Sequence, residues 1–238
     1  MTPSTPRTNN ALIFKPSAGT LSWSGLLLAL LCAFLLPGCG KKTNSKLAME
    51  LEGLESATAT ERADALLHLT DMGEEAESAA PKAIELLTDA SSDVRSAAIG
   101  LIAKLKVNTP ESVAGLSKAA SGDEDEGIRS SALDALHAVG AHEEHVNVCK
   151  GLLASDDERQ RGQAAMGLSE AGEHAAAAQT ELVAALEDKE PYVRMYAAMA
   201  LGNLGSKAAS AKAKLEALTS DKEADVAAAA KEALEKIQ

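Results

Sequence analysis

Aromatic residues are scarce in this sequence of 238 residues, where they make up only 2%. All but two of them, Tyr192 and Tyr196, precede Cys39. The part after Cys39 therefore has only two of the large rings that commonly anchor interfaces and stack on planar ligands. Two different kinds of sequence have been joined at this cysteine.

An excess of positive charge is also lacking, since 23 lysine and arginine residues face 35 acidic ones and the formal net charge is −12. Backbone phosphates need a basic surface, so this balance excludes the usual kind of nucleic-acid-binding protein. The hydrophobic fraction of 46% excludes a disordered polyelectrolyte. Residues 1–38 hold two basic residues and no acid, so the remainder carries −14.

The common catalytic motifs are missing as well. The sequence contains no G-x-S-x-G, no H-E-x-x-H and no glycine-rich phosphate-binding loop. Its acidic runs, such as residues 123–126, lack the spacing and the glycine of an EF-hand and are typical of solvated turns. We therefore predict that the protein is not an enzyme and has no cofactor.

Cysteine is rare, and one of the three cysteines, Cys32, lies in the uncharged run Gly25–Leu36. This run of 12 residues is shorter than the roughly 20 needed to span a bilayer, and it fits the roughly 7–15 of a signal-peptide core. Arg7 and Lys15 would form the positive front end of the signal. We predict a signal peptide over residues 1–38; the alternatives are an uncleaved signal anchor or a short buried helix.

The segment Leu36-Pro37-Gly38-Cys39 resembles the lipobox of bacterial lipoproteins. Leu36, Gly38 and Cys39 match that pattern, whereas Pro37 departs from it and puts the efficiency of processing in doubt. The resemblance implies that Cys39 is lipidated and that its two or three acyl chains anchor the protein stably in a membrane.

Gly40, rather than aspartate, follows the lipobox. By analogy with lipoproteins this favours the outer membrane or cell surface of the envelope over the inner membrane. Residues 39–45 would be the lipidated cysteine and a polar tether. Cys149 would then be the only free thiol, which excludes an intrachain disulfide.

A repeat of about 33 residues fills the rest of the chain. Its reference positions, spaced by 33, 34, 32, 33 and 33 residues, are Arg62, Arg95, Arg129, Arg161, Arg194 and Ala227. Three residues after each stands an alanine, and seven residues after each stands a large aliphatic residue. Eleven residues after, glycine occurs in four copies. These offsets trace one face of an α-helix ended by a glycine C-cap.

A second helical pattern lies between these A helices and ends each time in an aspartate, namely Asp89, Asp123, Asp156, Asp188 and Asp221. We call it the B helix. Residues 46–55 are predicted to form a leading B helix, so that five A/B pairs lie between it and a final A helix.

The columns D-x-V-R-x-x-A-A-x-x-L resemble HEAT repeats, specifically the short type named after phycobilisome lyases. The ankyrin and tetratricopeptide patterns of similar period are absent. The resemblance covers residues 57–238. It implies an all-α fold, a right-handed α-solenoid (α–α superhelix) of about five HEAT-like repeats plus capping helices over residues 46–238.

The arginine column has two interpretations. It could be a stripe of cations that binds an anionic ligand, or a structural ladder in which each arginine bonds aspartates or helix-end carbonyls in the turns and ties repeat to repeat. An aspartate precedes four of the arginines by five or six residues. This regularity favours the structural ladder, made of Arg62, Arg95, Arg129, Arg161, Arg194 and the five aspartates above.

His142, His145 and Cys149 have a spacing that could offer metal ligands on one helix. Cys149, however, aligns with Leu182 and Leu215, which are predicted core positions, so we predict no metal site. His68, His137 and His174 are scattered along the sequence, and no role is assigned to them.

Tyr192 and Tyr196 lie one turn apart on a predicted A helix and are the candidate contacts to a partner; packing against the next repeat is the alternative. We predict a non-catalytic scaffold that binds a protein, of basic charge if electrostatics guide it, on B-helix residues including Lys82, Glu85, Lys150, Glu181, Lys214 and Glu216. The alternatives are a passive spacer, a chaperone or a bilin lyase-like enzyme, the last disfavoured by the export signal and the missing aromatic residues.

Overall fold

The computed structural model describes residues 45–237, and within them all regular structure is helical. The predicted signal peptide, Cys39 and nearly all of the tether lie outside the described residues. The helices are α1 Ser45–Gly53, α2 Ala59–Met72, α3 Ala80–Leu86, α4 Ser92–Lys104, α5 Pro110–Gly122, α6 Glu126–Ala138, α7 His142–Leu152, α8 Glu158–Glu170, α9 Gln179–Ala185, α10 Pro191–Asn203, α11 Lys212–Leu218 and α12 Ala224–Lys236.

The predicted α-solenoid is confirmed. Even-numbered helices are the A helices and odd-numbered ones the B helices; each B helix packs on the A helix that follows it, and successive A helices stack on one another. A repeat is numbered here by its A helix, so that repeat 3 is α6 with α7 and repeat 4 is α8 with α9. None of the described helices is long and apolar enough to cross a bilayer.

Polar residues at the helix starts explain where several helices begin. Thr109 and Ser112 form a reciprocal capping box ahead of α5, and Pro110 occupies the first turn, where its missing N–H costs nothing. The Asp125 side chain accepts hydrogen bonds from the N–H groups of Gly127 and Ile128 at the start of α6.

Glycines end four of the A segments in a left-handed backbone. The φ angles of Gly73, Gly140, Gly172 and Gly205 lie between 56° and 79°. In the second copy along the chain the same position is Lys106, with φ of 53°. A side chain disfavours this conformation and glycine does not, which explains the glycine column.

The core is a continuous stack of small and aliphatic side chains from the A and B helices. The alanine column is buried in all six copies, and Leu69, Ile102, Leu136, Leu168 and Leu201 are fully buried seven residues after the reference position. Leu234, in the last copy, is partly buried. Alanine lets neighbouring helices approach closely, and the large residue beside it fills the remaining space.

The B segments are of two kinds, which the sequence pattern does not distinguish. Three of them begin with a 3₁₀ helix that passes into a short α-helix: Gly73–Ala79 before α3, Gly172–Ala178 before α9 and Gly205–Ala211 before α11. Helices α5 and α7 instead run without a preceding 3₁₀ segment. The middle of the array therefore differs from both flanks.

Candidate functional site

Each arginine of the predicted ladder sits in the first turn of an A helix, and four of them share one geometry, which we call a rung. Arg161 donates from Nε and Nη2 to the two carboxylate oxygens of Asp188, at 2.7 and 3.1 Å. Its Nη1 donates to the carbonyl oxygens of Ser155 and Asp156, at 3.0 and 3.2 Å. The planar guanidinium thus holds the turn before it and the aspartate of the next turn.

The other complete rungs repeat this arrangement with partners 27 or 28 residues ahead, namely Arg62–Asp89, Arg95–Asp123 and Arg194–Asp221. The partner is thus the aspartate of the following turn, and the aspartate five or six residues before contributes a backbone carbonyl in three of the four rungs.

The rung carboxylates are held ionised. Hydrogen bonds from Arg62 and from Arg194 lower the pKa of Asp89 and of Asp221. Burial opposes ionisation of Asp123 and Asp188, but their arginines and a backbone N–H still bring the pKa of each below its usual value. In the complete rungs, the arginine and the aspartate therefore form their hydrogen bonds with groups of the protein itself.

The rung at the junction of repeats 3 and 4 is incomplete. Arg129 keeps the Nη1 bonds to the carbonyls of Asp123 and Glu124, at 2.8 and 3.2 Å. Its Nε is buried and has no hydrogen-bond partner, and the expected partner, Asp156, is exposed. Helices α6 and α8 barely touch, unlike the other neighbouring A helices. A surface ion pair, Glu126–Arg159 at 2.8 Å, is the charged contact between them.

Four histidines meet at this same junction, among them His137 and His174, which are far apart in the sequence and to which the sequence pattern assigned no role. The ring of His137 lies edge-on to those of His142 and His145, with centroids 5.5 and 5.4 Å apart. His142 stacks on His174, with centroids 4.1 Å apart and planes inclined by 12°. His174 belongs to repeat 4, so this stack crosses the junction. We call these four residues the histidine cluster.

Cys149 lies beside the buried end of the cluster. Its Sγ is 3.8 Å from Nε2 of His145, and both residues pack on the bare backbone of Gly167 in α8. Burial raises the pKa of the Cys149 thiol to about 12. The thiol is therefore a neutral core group at physiological pH, in line with its alignment to Leu182 and Leu215.

The sequence does contain a signal for the cluster, in the columns of small residues. The positions that align with His137, His142 and His145 are small in the other repeats: Thr70, Ala103, Ser169 and Gly202 for the first, Ala76, Thr109, Ala175 and Ala208 for the second, Ala79, Ser112, Ala178 and Ala211 for the third. Three rings thus replace three small side chains in one repeat. Helical spacing within α7 alone does not reveal this, because His137 belongs to the preceding helix.

No group of three or more histidine, cysteine, aspartate or glutamate side chains in residues 45–237 has the geometry to hold a metal ion. The concavities of this region are open grooves. One of them, of about 510 Å³, lies between α3 and α5, with Leu87, Gly115 and Ala119 among its lining residues. None has the enclosed form of a small-molecule site.

The exposed surface of the B helices, which we call the B face, carries ion pairs, most of which join neighbouring repeats. Lys82 pairs with Glu55 at 2.9 Å and with Glu85 at 3.0 Å, Lys150 pairs with Glu181 at 3.5 Å, and Lys214 pairs with Glu187 at 2.8 Å. By contrast, Glu111, Glu143 and Glu216 are exposed and make no ion pair within the described residues.

The two tyrosines lie on α10, half-buried. The ring of Tyr192 covers Gly162 of α8, where any side chain at position 162 would collide with it. Its ring therefore packs against the preceding repeat. Tyr196 is packed against the core.

The repeat family is settled by sequence. The family model for HEAT repeats matches residues 49–137, 80–169 and 146–235, so that successive matches overlap along nearly the whole described region. The chain belongs to the HEAT-repeat family. No curated protein sequence matches this HEAT-repeat chain significantly.

Solved structures similar to this HEAT-repeat protein include designed repeat proteins. A crystal structure of an engineered protein aligns with a TM-score of 0.57 and 22% identity, over 80% of this chain and 96% of that one. A designed armadillo repeat protein in complex with the peptide (KR)4 aligns with a TM-score of 0.55 and 21% identity, over 81% and 99%. At such identities the likeness shows the solenoid fold alone.

Proposed function

We propose that this protein is a non-catalytic scaffold, anchored by a lipid on Cys39 in the bacterial cell envelope, whose B face binds a basic segment of a partner protein. Within the family, the 33-residue period favours the short HEAT type. The observation that carries the proposal is the excess of carboxylates left after the ion pairs of the array have formed.

The excess of carboxylates lies within the described residues and includes unpaired glutamates of the B face. All the acidic residues follow residue 44 and four of the basic residues precede it, so residues 45–237 carry a formal charge of −16. The lysines named on the B face are paired with glutamates, whereas Glu111, Glu143 and Glu216 are not. Such a surface attracts a basic partner and repels an acidic one.

The structural neighbours agree with a peptide-binding role. The similar designed armadillo repeat protein holds a peptide of alternating lysine and arginine. An α-solenoid offers an extended surface of stacked helices, and such surfaces bind extended segments without an active site.

Binding is tested with the peptide (KR)4 as probe, by fluorescence anisotropy at low and high salt. The triple change Glu111→Lys, Glu143→Lys and Glu216→Lys should weaken binding about tenfold, since three favourable charge contacts become unfavourable. A matched control reverses Asp64, Asp71 and Glu235, exposed acids of the A helices, and should leave the affinity near that of the unchanged protein. Equal losses of affinity in both variants would show that the net charge of the protein, and not the B face, determines binding.

The scaffold and the passive spacer differ in whether a partner is recovered. Pull-down from an envelope fraction at low salt should retain a basic protein that high salt releases. Recovery of no partner at low salt would favour the spacer.

The lipid anchor is tested separately, by mass spectrometry of the mature N-terminus. A diacylglyceryl group on Cys39, with residues 1–38 removed, is the expected result. Cys39→Ser should abolish the modification and release the protein from the membrane fraction, whereas Cys32→Ser should change neither. Cleavage elsewhere would remove the lipoprotein assignment and leave the B-face proposal standing.

A further inference from the structure

The junction of repeats 3 and 4 concentrates the unsatisfied polar groups of the described chain. The buried side-chain nitrogens and oxygens without a hydrogen-bond partner in residues 45–237 are Nε of Arg129 and Nδ1 of His137, His142 and His145. Buried polar atoms normally have partners, so four orphans at one junction of an otherwise regular array call for a physical explanation.

The volume of the histidine rings supplies part of it. His137 stands in α6 where α2, α4, α8 and α10, the other A helices that are followed by a further A helix, have threonine, alanine, serine or glycine, the small residues that let neighbouring A helices approach. At the junction of α10 and α12 a glycine of this column, Gly202, lies against Ala233 so closely that a side chain would not fit. An imidazole at that position holds α6 and α8 apart, and Arg129 then cannot reach Asp156.

The contacts that replace the rung are made by histidine. His142 stacks on His174 across the junction, and His145 with Cys149 packs on Gly167 of α8. At the complete rungs the tie is an arginine and an aspartate, which keep their charges throughout the physiological range. Here the tie is a set of rings that pack well only while they are neutral.

The surroundings favour the neutral rings. His145 is 2% exposed, and burial, aided by His137 and His142, lowers its pKa to about 4. Burial lowers the pKa of His142 too, with His174 and His137 acting in the same direction. A proton on His142 or His145 therefore meets other imidazoles, and at His145 it meets almost no water.

The charged groups on the elements around the cluster do little to offset this. Glu144 accepts a hydrogen bond from Ser117 of α5, and Lys150 and Glu173 are paired with Glu181 and Lys207. Asp134 on α6 interacts electrostatically with His137, although burial raises the pKa of the Asp134 carboxyl, and Glu170 on α8 acts on Cys149. The remaining charged groups on α5 and at the start of α7 are the exposed residues Glu111, Lys118 and Glu143.

We propose that the junction of repeats 3 and 4 is an acid-sensitive joint of the solenoid, at which protonation of the histidine cluster separates α8 from α6 and α7. At neutral pH the neutral rings join the two halves of the array. On acidification the open junction takes up protons that the closed one refuses, so opening becomes more frequent while the four complete rungs stay intact.

Hydrogen exchange of the full chain, followed by mass spectrometry at pH 7.5 and pH 5.0 and corrected for intrinsic exchange, tests the proposal. A histidine that titrates near 6.5 when open and near 4 when closed raises the opening constant about 30-fold over this range. We expect a corresponding loss of protection against hydrogen exchange in peptides from α7 and α8. The change in peptides from α2–α4 and α10–α12 should be much smaller. Equal pH sensitivity along the whole chain would overturn the proposal.

Two variants test whether the effect of pH on hydrogen exchange comes from the histidine cluster. The triple change His137→Ser, His142→Ala and His145→Ala installs the residues that repeat 4 carries at the aligned positions, and should abolish the extra exchange at pH 5.0. His68→Gln, which alters the one histidine outside the cluster, should leave it in place. An unchanged pH effect in the triple variant, or its loss in His68→Gln, would contradict the assignment.

A measurement on the unaltered protein guards against a variant that fails to fold. Histidine ring signals in a two-dimensional NMR titration should include one that stays neutral well below pH 6 until the junction opens. Four rings that all titrate near 6.5 with the fold unchanged would overturn the proposal.

Discussion

Lys106 ends helix α4 in a left-handed backbone, with φ of 53°, at the position where four other repeats have glycine. A side chain in this region costs roughly 1–2 kcal/mol, while glycine loses about 0.5–1 kcal/mol of unfolded-state entropy. Lys106→Gly should therefore raise the free energy of unfolding by about 0.5 kcal/mol, measured by urea denaturation. Gly140→Ala, at φ of 79° in an open site, should lower it by about 1 kcal/mol. If the free energy of unfolding changed in the same direction in both variants, the explanation of the glycine column would be contradicted.

Asp188 shows what a complete rung contributes. Its side chain is 12% exposed and accepts both hydrogen bonds from Arg161. Asp188→Asn leaves a nearly buried guanidinium without its counter-charge and should cost about 2 kcal/mol at pH 7. The matched change Asp156→Asn, at the incomplete rung, should cost less than about 0.5 kcal/mol.

The pH dependence of that loss follows from the direction of the shift. The pKa of Asp188 is lower in the folded protein than in the unfolded chain, so its contribution is present above the unfolded pKa, near 4, and is lost as pH falls through the folded pKa. The difference between Asp188→Asn and the unchanged protein should therefore shrink below pH 4. A difference that stayed constant to pH 2 would contradict the ion pair.

At the scale of the helix, the apolar face is the source of stability. Leu168 is fully buried in α8, and Leu168→Ala should lower the free energy of unfolding by roughly 2–5 kcal/mol, because it leaves a cavity. Leu67, 54% exposed on α2, gives the control, and its change to alanine should stay within about 0.5 kcal/mol. A loss below half a kcal/mol at Leu168 would contradict the assigned face.

The A helices were predictable from sequence because their signals are local and repeated. Alanine, a large aliphatic residue and glycine recur at fixed offsets, and the structure places them in the core and at the helix ends. The 3₁₀ starts of three B segments were not predictable, since alanine-rich stretches such as residues 172–178 suit either helix. The pairing of each rung arginine with an aspartate 27 or 28 residues ahead was not predictable either, because it depends on how the repeats stack.

The histidine cluster escaped prediction for a related reason. His137 and His174 come together with His142 only because α6, α7 and the next repeat converge. A comparison of the small-residue columns between repeats would have shown His137, His142 and His145 as exceptions. It would not have shown His174, whose aligned positions Glu75, Asn108, Ala141 and Lys207 follow no rule.

For the whole molecule, the incomplete rung lies at the boundary between two sets of helices, which we call blocks, α1–α7 and α8–α12, where α6 and α8 barely touch. Stability in a solenoid is a sum of nearest-neighbour terms, so a weak junction lowers cooperativity. Urea unfolding should show two transitions. Tyr192 and Tyr196, both in the second block, report on it by fluorescence once Trp23 is replaced by phenylalanine, whereas circular dichroism follows both blocks.

The triple histidine variant described above should bring the two unfolding curves together, because closer approach of α6 and α8 restores the missing contact. Coincident curves in the unchanged protein would show that the junction is as strong as the others.

The reach of each arginine also bears on how such an array changes in length during evolution. Every complete rung joins a backbone turn just behind the arginine to a carboxylate one repeat ahead. A tandem duplication of any 33 residues from the regular part would therefore recreate a finished bond at its new boundary, without a compensating substitution. The gene can gain or lose whole units there, whereas a duplication through repeat 3 would copy its defect as well.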